Sequence, residues 1–209
     1  MSNVMVLMLL SITVVKAQDL STSLKEANEQ LQSATGIPEM MAANSKFNII
    51  AAKWSNEWAA NYYAAYAKAY IALKEPDAKR KDQLLDEADK YVEKTNAINA
   101  AGDESLVLAA YVAFSRFLVD PANRWKKYLE IMNDNLDKAK KANADNPRIY
   151  YLQGIPVFNK PVLYGGGKKK AKPYFEKAKT LFAKQTTASI LQPSWGEKDN
   201  ADYLQKCND

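Results

Sequence analysis

The chain has 209 residues, with 29 Lys and Arg, 24 Asp and Glu, and a formal charge of +5; that length suits one domain with a short extra segment better than two independent cores. Its 47% hydrophobic and 25% charged residues describe a globular protein, not a disordered or fibrous one. One cysteine and no histidine exclude a disulfide framework, Cys/His zinc sites, c-type haem attachment and nucleophile/histidine pairs.

Residues 1–17 read as a secretion signal. The apolar run from Val4 to Val15 is shorter than the roughly 20 residues of a membrane span. Val15-Lys16-Ala17 before Gln18 offers a signal peptidase its small residue, with cleavage after Ala17. Met1-Ser2-Asn3 lacks the positive charge usual at such a start. The remainder, 18–209, is expected to be a single exported, periplasmic domain without a transmembrane segment.

From residue 18 onward the apolar spacing is helical and no alternating strand stands out. Helices are predicted at 20–33, stopping at Gly36 and Pro38, and at 39–53. Another begins after Ser55, read as its cap, and runs to Leu73 ahead of Pro76. The next four are predicted at 82–98, 104–118, 124–143 and 148–158, with breaks at Asp120-Pro121 and Asn146-Pro147 and a kink or early end at Pro156. A loop over 159–167, a helix over 168–184, a turn at Pro193-Ser194-Trp195-Gly196 and a short helix over 197–206 complete about nine helices.

Helices in such succession call for a repeat test. Ala171, Phe175 and Ala178 match the Ala-x3-Phe-x2-Ala spacing of the second helix of a tetratricopeptide repeat, in which small residues let helices approach and the aromatic fills the groove. Ala88/Val92/Thr95 and Met132/Leu136/Ala139 are looser copies, spaced more widely than the about 34 residues of the standard repeat. Tyr150 and Gly154 hold the aromatic and small positions of a first helix. The fold class is therefore all-α, a tetratricopeptide-like (TPR-like) array of antiparallel helical hairpins with a C-terminal capping helix.

Five stretches carry a resemblance over the mature chain: Trp54-Ser55-Asn56-Glu57-Trp58, Tyr62-Tyr63-Ala64-Ala65-Tyr66, Asn146-Pro147-Arg148, Tyr164-Gly165-Gly166-Gly167-Lys168 and Pro193-Ser194-Trp195-Gly196. On these the chain resembles small exported tetratricopeptide-like proteins of Bacteroidota. The resemblance implies fold and compartment, and no activity. Pro156 and the long repeat spacing depart from the standard pattern.

Candidate binding residues fall in two groups. Trp58, Tyr62, Tyr66 and Tyr70 recur every four residues as a ridge on one helix, with Tyr63 beside it. Such a stripe serves either as core, with each hydroxyl needing a partner, or as a concave face holding a peptide or a sugar ring. Lys168, Lys169 and Lys170 follow three glycines, which suggests weak anion contact at a helix start or simply a tight turn. The phosphate-loop motif itself is absent, since Val162 stands where its first glycine belongs and Lys169 where Ser or Thr belongs. Around them, residues 138–184 carry twelve Lys or Arg against Asp145 and Glu176, a charge able to meet an anionic surface or to solvate helix faces. Cys207 is read as an idle thiol, with an intermolecular disulfide as the alternative.

Catalysis would rest on carboxylates such as Glu57, Asp86, Glu87, Asp89, Asp103 and Glu104, whose places also suit capping and solvation. No pair is marked out, and no cofactor or metal is expected. The leading expectation is a non-enzymatic scaffold capturing an envelope protein through the face near Trp58, Tyr62 and Tyr66. The alternative is an accessory that binds an anionic envelope surface, a peptide or a glycan. Nucleic acid is not expected as a partner of an exported chain.

Overall fold

The computed structural model describes residues 19–99, 102–185 and 189–209. The signal segment, its cleavage point and Lys16 lie outside these residues. The described residues form nine α-helices and no strand: α1 over 19–33, α2 Ile37–Lys53, α3 Trp58–Lys74, α4 Ala78–Asn99, α5 Asp103–Phe117, α6 Pro121–Ala142, α7 Pro147–Asn159, α8 Lys168–Phe182 and α9 Glu197–Asn208. A 3-10 turn, Val162–Tyr164, lies between α7 and α8.

Two sequence-based boundaries move for the same reason. Asp120-Pro121 and Asn146-Pro147 separate successive helices as expected, and each is also the start of the next helix. Proline at the first helical position needs no N–H partner, and the preceding side chains accept from Asn123 N at 3.3 Å and Arg148 N at 2.9 Å. Helix α6 therefore begins at Pro121. The α4 start moves to Ala78, where Asp77 Oδ1 accepts from Arg80 N at 2.8 Å. Ser55 does not cap α3. The position before α3 is Glu57, which makes no side-chain cap bond, and the Ser55 carbonyl accepts from Asn61 Nδ2 at 2.8 Å. Pro156 does not end α7, which continues to Asn159 because Lys160 N donates to Pro156 O at 3.0 Å and Asn159 Nδ2 to Ile155 O at 2.9 Å.

Consecutive helices pair as hairpins: α3 with α4, α5 with α6, α7 with α8. Burial separates them into layers. Thirteen of 17 residues are buried in α3 against five of 22 in α4, and nine of 15 in α5 against three of 22 in α6, so α3, α5 and α7 form an inner layer and α4, α6 and α8 an outer, one-faced layer. All nine residues of the three spaced copies are buried, and they are how each outer helix holds its inner partner. In the last hairpin Gly154 lies against Phe175. A Cβ there would stand 2.6 Å from Phe175 Cε1. Gly154→Ala is expected to destabilise by about 1–3 kcal/mol through overpacking, even though alanine favours a helix; equal or higher stability in urea unfolding would refute the close approach.

A lysine is buried inside the stack. Lys68, fully buried in α3, donates to Asn44 Oδ1 at 3.0 Å and Asn48 Oδ1 at 2.8 Å and pairs with Glu87 Oε2 at 2.9 Å. Desolvation pulls its pKa below the usual lysine value and Glu87 opposes that. The three acceptors use all its protons, joining α2, α3 and α4 through one cation.

Candidate functional site: an aromatic cleft at one end of the inner helices

A cavity of about 1010 Å³ opens at the C-terminal ends of α3, α5 and α7. Each inner helix contributes its last turns: Tyr70, Leu73 and Lys74 from α3, Tyr111, Phe114 and Phe117 from α5, and Ile155, Pro156, Val157 and Asn159 from α7, with Lys160 just beyond it. The start of α6 supplies Trp125 and Leu129, and α9 closes the remaining side with Asp199, Asp202, Tyr203 and Lys206. The ends of the three inner helices leave a concavity, and α9 closes one side of it.

Helix α9 is held there by stacking. Tyr203 lies on Phe175 at 5.1 Å and 16°, with Phe158 edge-on at 5.2 Å. Asn200 Nδ2 donates to Phe175 O at 3.0 Å. Just upstream, Trp195 is wedged between Tyr66 at 5.2 Å and Tyr111 at 5.0 Å, and its Nε1 donates to Tyr62 OH at 2.8 Å.

The cleft is apolar and aromatic at its floor and charged at its edge. Burial pushes the Tyr111 and Tyr151 hydroxyls well above the usual tyrosine value. Burial also raises Tyr70 and Tyr203, and Asp199 adds to each of these shifts. Desolvation raises the Asp199 carboxyl and Asp202 adds to this, with Lys74 pulling it back. Lys74 Nζ stands 5.6 Å from the Tyr70 ring and Lys206 Nζ 5.3 Å from the Tyr203 ring, so cations sit beside aromatic faces. Among the described residues no group of three His, Cys, Asp or Glu is placed to hold a metal ion, and no helix is long and apolar enough to cross a membrane.

The residues singled out in the sequence are dispersed. Tyr62 and Tyr66 are buried, 0% and 2% exposed, so they form core and present no open face. Tyr63 is buried likewise and stacks on Phe47 at 6.2 Å. Trp58 is half-buried, donating through Nε1 to Ser105 Oγ at 2.8 Å, beside a smaller polar hollow that contains Asp103 and Glu104. Tyr70 alone of the ridge reaches the cleft, because a four-residue spacing drifts round the helix and carries the last ring off the core face. Lys168, Lys169 and Lys170 are exposed on the first turn of α8 and are not among the cleft residues. Their glycines form a turn whose amides are already used: Gly165 N donates to Val162 O at 2.9 Å, Gly166 N to Pro161 O at 3.2 Å and Gly167 N to Val157 O at 2.9 Å. Those three amides are not left for an anion. Cys207 is half-buried and free, its thiol pushed up by burial.

Sequence reasoning missed a second feature, a buried polar clasp. Arg148, 1% exposed, donates to Glu104 Oε1 at 2.9 Å and Pro193 O at 2.6 Å. Asn146 Nδ2 donates to the same Glu104 oxygen at 2.8 Å, and Tyr62 OH to Glu104 Oε2 at 3.3 Å. The guanidinium also lies 5.3 Å from the Trp195 ring. Four of the five stretches that carried the resemblance supply residues at or next to this clasp, the fifth being the glycine turn.

Fold and cleft together define an all-helical hairpin array with a ligand-sized aromatic groove. No protein-family model matches the sequence, and the curated proteins yield no match. Among solved structures the chain is similar to the HusA haemophore from Porphyromonas gingivalis, at 30% identity and a TM-score of 0.77 over 91% of this chain and 92% of that one. The chain belongs to the same family of small all-helical proteins as HusA.

Proposed function

We propose that this protein is an exported, non-enzymatic binder whose cleft carries a flat, largely apolar ligand bearing carboxylates, of the porphyrin class. The observation that carries this reading is the aromatic cleft of about 1010 Å³ rimmed by Lys74, Lys160 and Lys206. Its volume stands at the upper end of the about 300–1000 Å³ of small-molecule sites. Tyrosine and tryptophan faces suit a planar conjugated ring, and the lysines suit acidic substituents at its edge. The name of the relative, a haemophore, agrees in kind.

The chain's own chemistry narrows how such a ligand is held. Without histidine, and with burial disfavouring the phenolates of Tyr111 and Tyr151, stacking and apolar contact hold the ring and a metal at its centre adds little. Metal-free protoporphyrin and haemin should therefore bind within a few-fold of each other. Trp125, 57% exposed on the cleft wall, can be removed without disturbing the core. Trp125→Ala should weaken binding by about tenfold, in line with loss of one stacking aromatic of about 1–1.5 kcal/mol. Absorbance and fluorescence-quenching titrations check this. Failure of both ligands to bind at micromolar concentration, or wild-type affinity in the variant, would rule out the cleft as the site. The capture of a protein partner on the Tyr62 and Tyr66 face is not carried forward, because those rings are buried.

A further inference from the structure

The segment between α7 and α8 turns three consecutive large apolar side chains outward. Val162, Leu163 and Tyr164 are 79%, 87% and 67% exposed, whereas the other exposed apolar residues are scattered singly along the helices. Scattered ones are ordinary, and a contiguous patch at a protruding tip is not. The tip is also held in shape. Tyr164 N donates to Pro161 O at 3.0 Å, and the next three amides are bonded within the loop or back to Val157. At its base a Cβ on Gly166 would lie 2.3 Å from the Lys160 carbonyl oxygen. These bonds are backbone bonds, so they place no demand for Val, Leu and Tyr at the tip.

Lysines flank it along the chain. Residues 159–175 contain Lys160, Lys168, Lys169, Lys170 and Lys172 and no acid, and the first four of these are exposed. Lysine is depleted from protein interfaces, whereas at a bilayer its stem lies along the acyl boundary while its ammonium stays among the headgroups. Exposed apolar side chains flanked by exposed lysines complement a surface that is anionic above and apolar beneath.

We propose that the 161–164 loop docks this protein on anionic phospholipid membranes, with Val162, Leu163 and Tyr164 entering the headgroup layer and Lys160 and Lys168 to Lys170 meeting lipid phosphates. Lys160 also lines the cleft, so docking sets the α7 end of the cleft close to the lipid surface. This reading is independent of what the cleft binds.

The test is flotation of the chain from Gln18 onward, which holds every described helix and omits the apolar run at 4–15. The vesicles are phosphatidylcholine alone or with about 30% phosphatidylglycerol, at low and at physiological salt. The wild type should float with the anionic vesicles and be released by salt. V162S/L163S should lower the bound fraction by about tenfold or more at unchanged helicity, and K168Q/K169Q/K170Q should lower binding at low salt and flatten its salt dependence. Both variants should keep wild-type porphyrin titrations, which separates this result from the fate of the cleft. A wild type that does not float, variants that float like it, or equal flotation on neutral and anionic vesicles would overturn the proposal. Loop-dependent capture of an envelope protein without vesicle binding would overturn it in favour of a protein partner.

Discussion

Glu104→Ala is expected to lower the unfolding free energy by about 3–5 kcal/mol, which in a chain of this size drops the thermal midpoint by roughly 10 °C. Arg148 is 1% exposed and cannot shed its charge. Without Glu104 it keeps only the Pro193 carbonyl at 2.6 Å and the Gln185 amide oxygen at 3.5 Å, and its Nε has no partner even now. Removing the other half, as in Arg148→Met, should be milder. Burial already raises the Glu104 pKa, opposed first by Arg148, so a stranded Glu104 escapes by taking up a proton, and its side chain remains 17% exposed. Urea unfolding of both variants at neutral pH checks the order; a loss below about 1 kcal/mol in Glu104→Ala would show that the pair is not a buried clasp.

The same group has a pH signature. With its native pKa above the unfolded value, the native state holds a proton that the unfolded chain has already released. Its contribution is therefore most favourable below the usual glutamate range and declines as pH rises through that range to the raised native value. Asp199, also raised, acts in the same direction, and Asp82, lowered first by its hydrogen bond with Arg124, acts in the opposite one. The difference between wild type and Glu104→Gln isolates the single slope, and a pH-independent difference would contradict it.

Trp195→Ala is the second large effect, about 3–5 kcal/mol for an indole that is 8% exposed. The ring stacks on Tyr66 and Tyr111, meets Tyr151 edge-on at 6.4 Å and donates to Tyr62 OH. Its loss empties the seat that leads α9 into place, and α9 supplies Asp199, Asp202, Tyr203 and Lys206 to the cleft. The variant should therefore lose ligand affinity along with stability, and the amides of α9 should exchange faster than those of α5. Trp195→Phe, which keeps the stacking and gives up the N–H bond, should lose only about 1 kcal/mol. Wild-type exchange in α9 of the alanine variant would separate α9 from the Trp195 seat.

The contrast between these residues and the helices shows where sequence reading ends. Apolar spacing marked the buried faces of 20–33 and 39–53, and Ala171/Phe175/Ala178 with Gly154 foretold a close hairpin, because such signals lie within one or two turns of a helix. Asp120-Pro121 and Asn146-Pro147 were legible as punctuation but not as starts. That distinction depends on whether the side chain before the proline turns to accept a backbone N–H. Glu104 looked like a solvated acid and Lys68 like any lysine on a helix, since neither has a local partner: Arg148, Asn44 and Glu87 come from other helices. The cleft was invisible for the same reason, being lined by residues of six helices.

By itself, then, the sequence determined an all-helical chain of hairpins and their order, since these follow from residue spacing, helix punctuation and short connections. The tertiary structure alone decided that Tyr62 and Tyr66 are core while Tyr70 faces a cleft, that Arg148 and Glu104 close on each other, and that Val162 to Tyr164 stand in solvent. Those outcomes depend on which helix crosses which and at what depth, a matter of side-chain volume and charge pairing across more than forty residues of chain, as between Arg148 and Glu104.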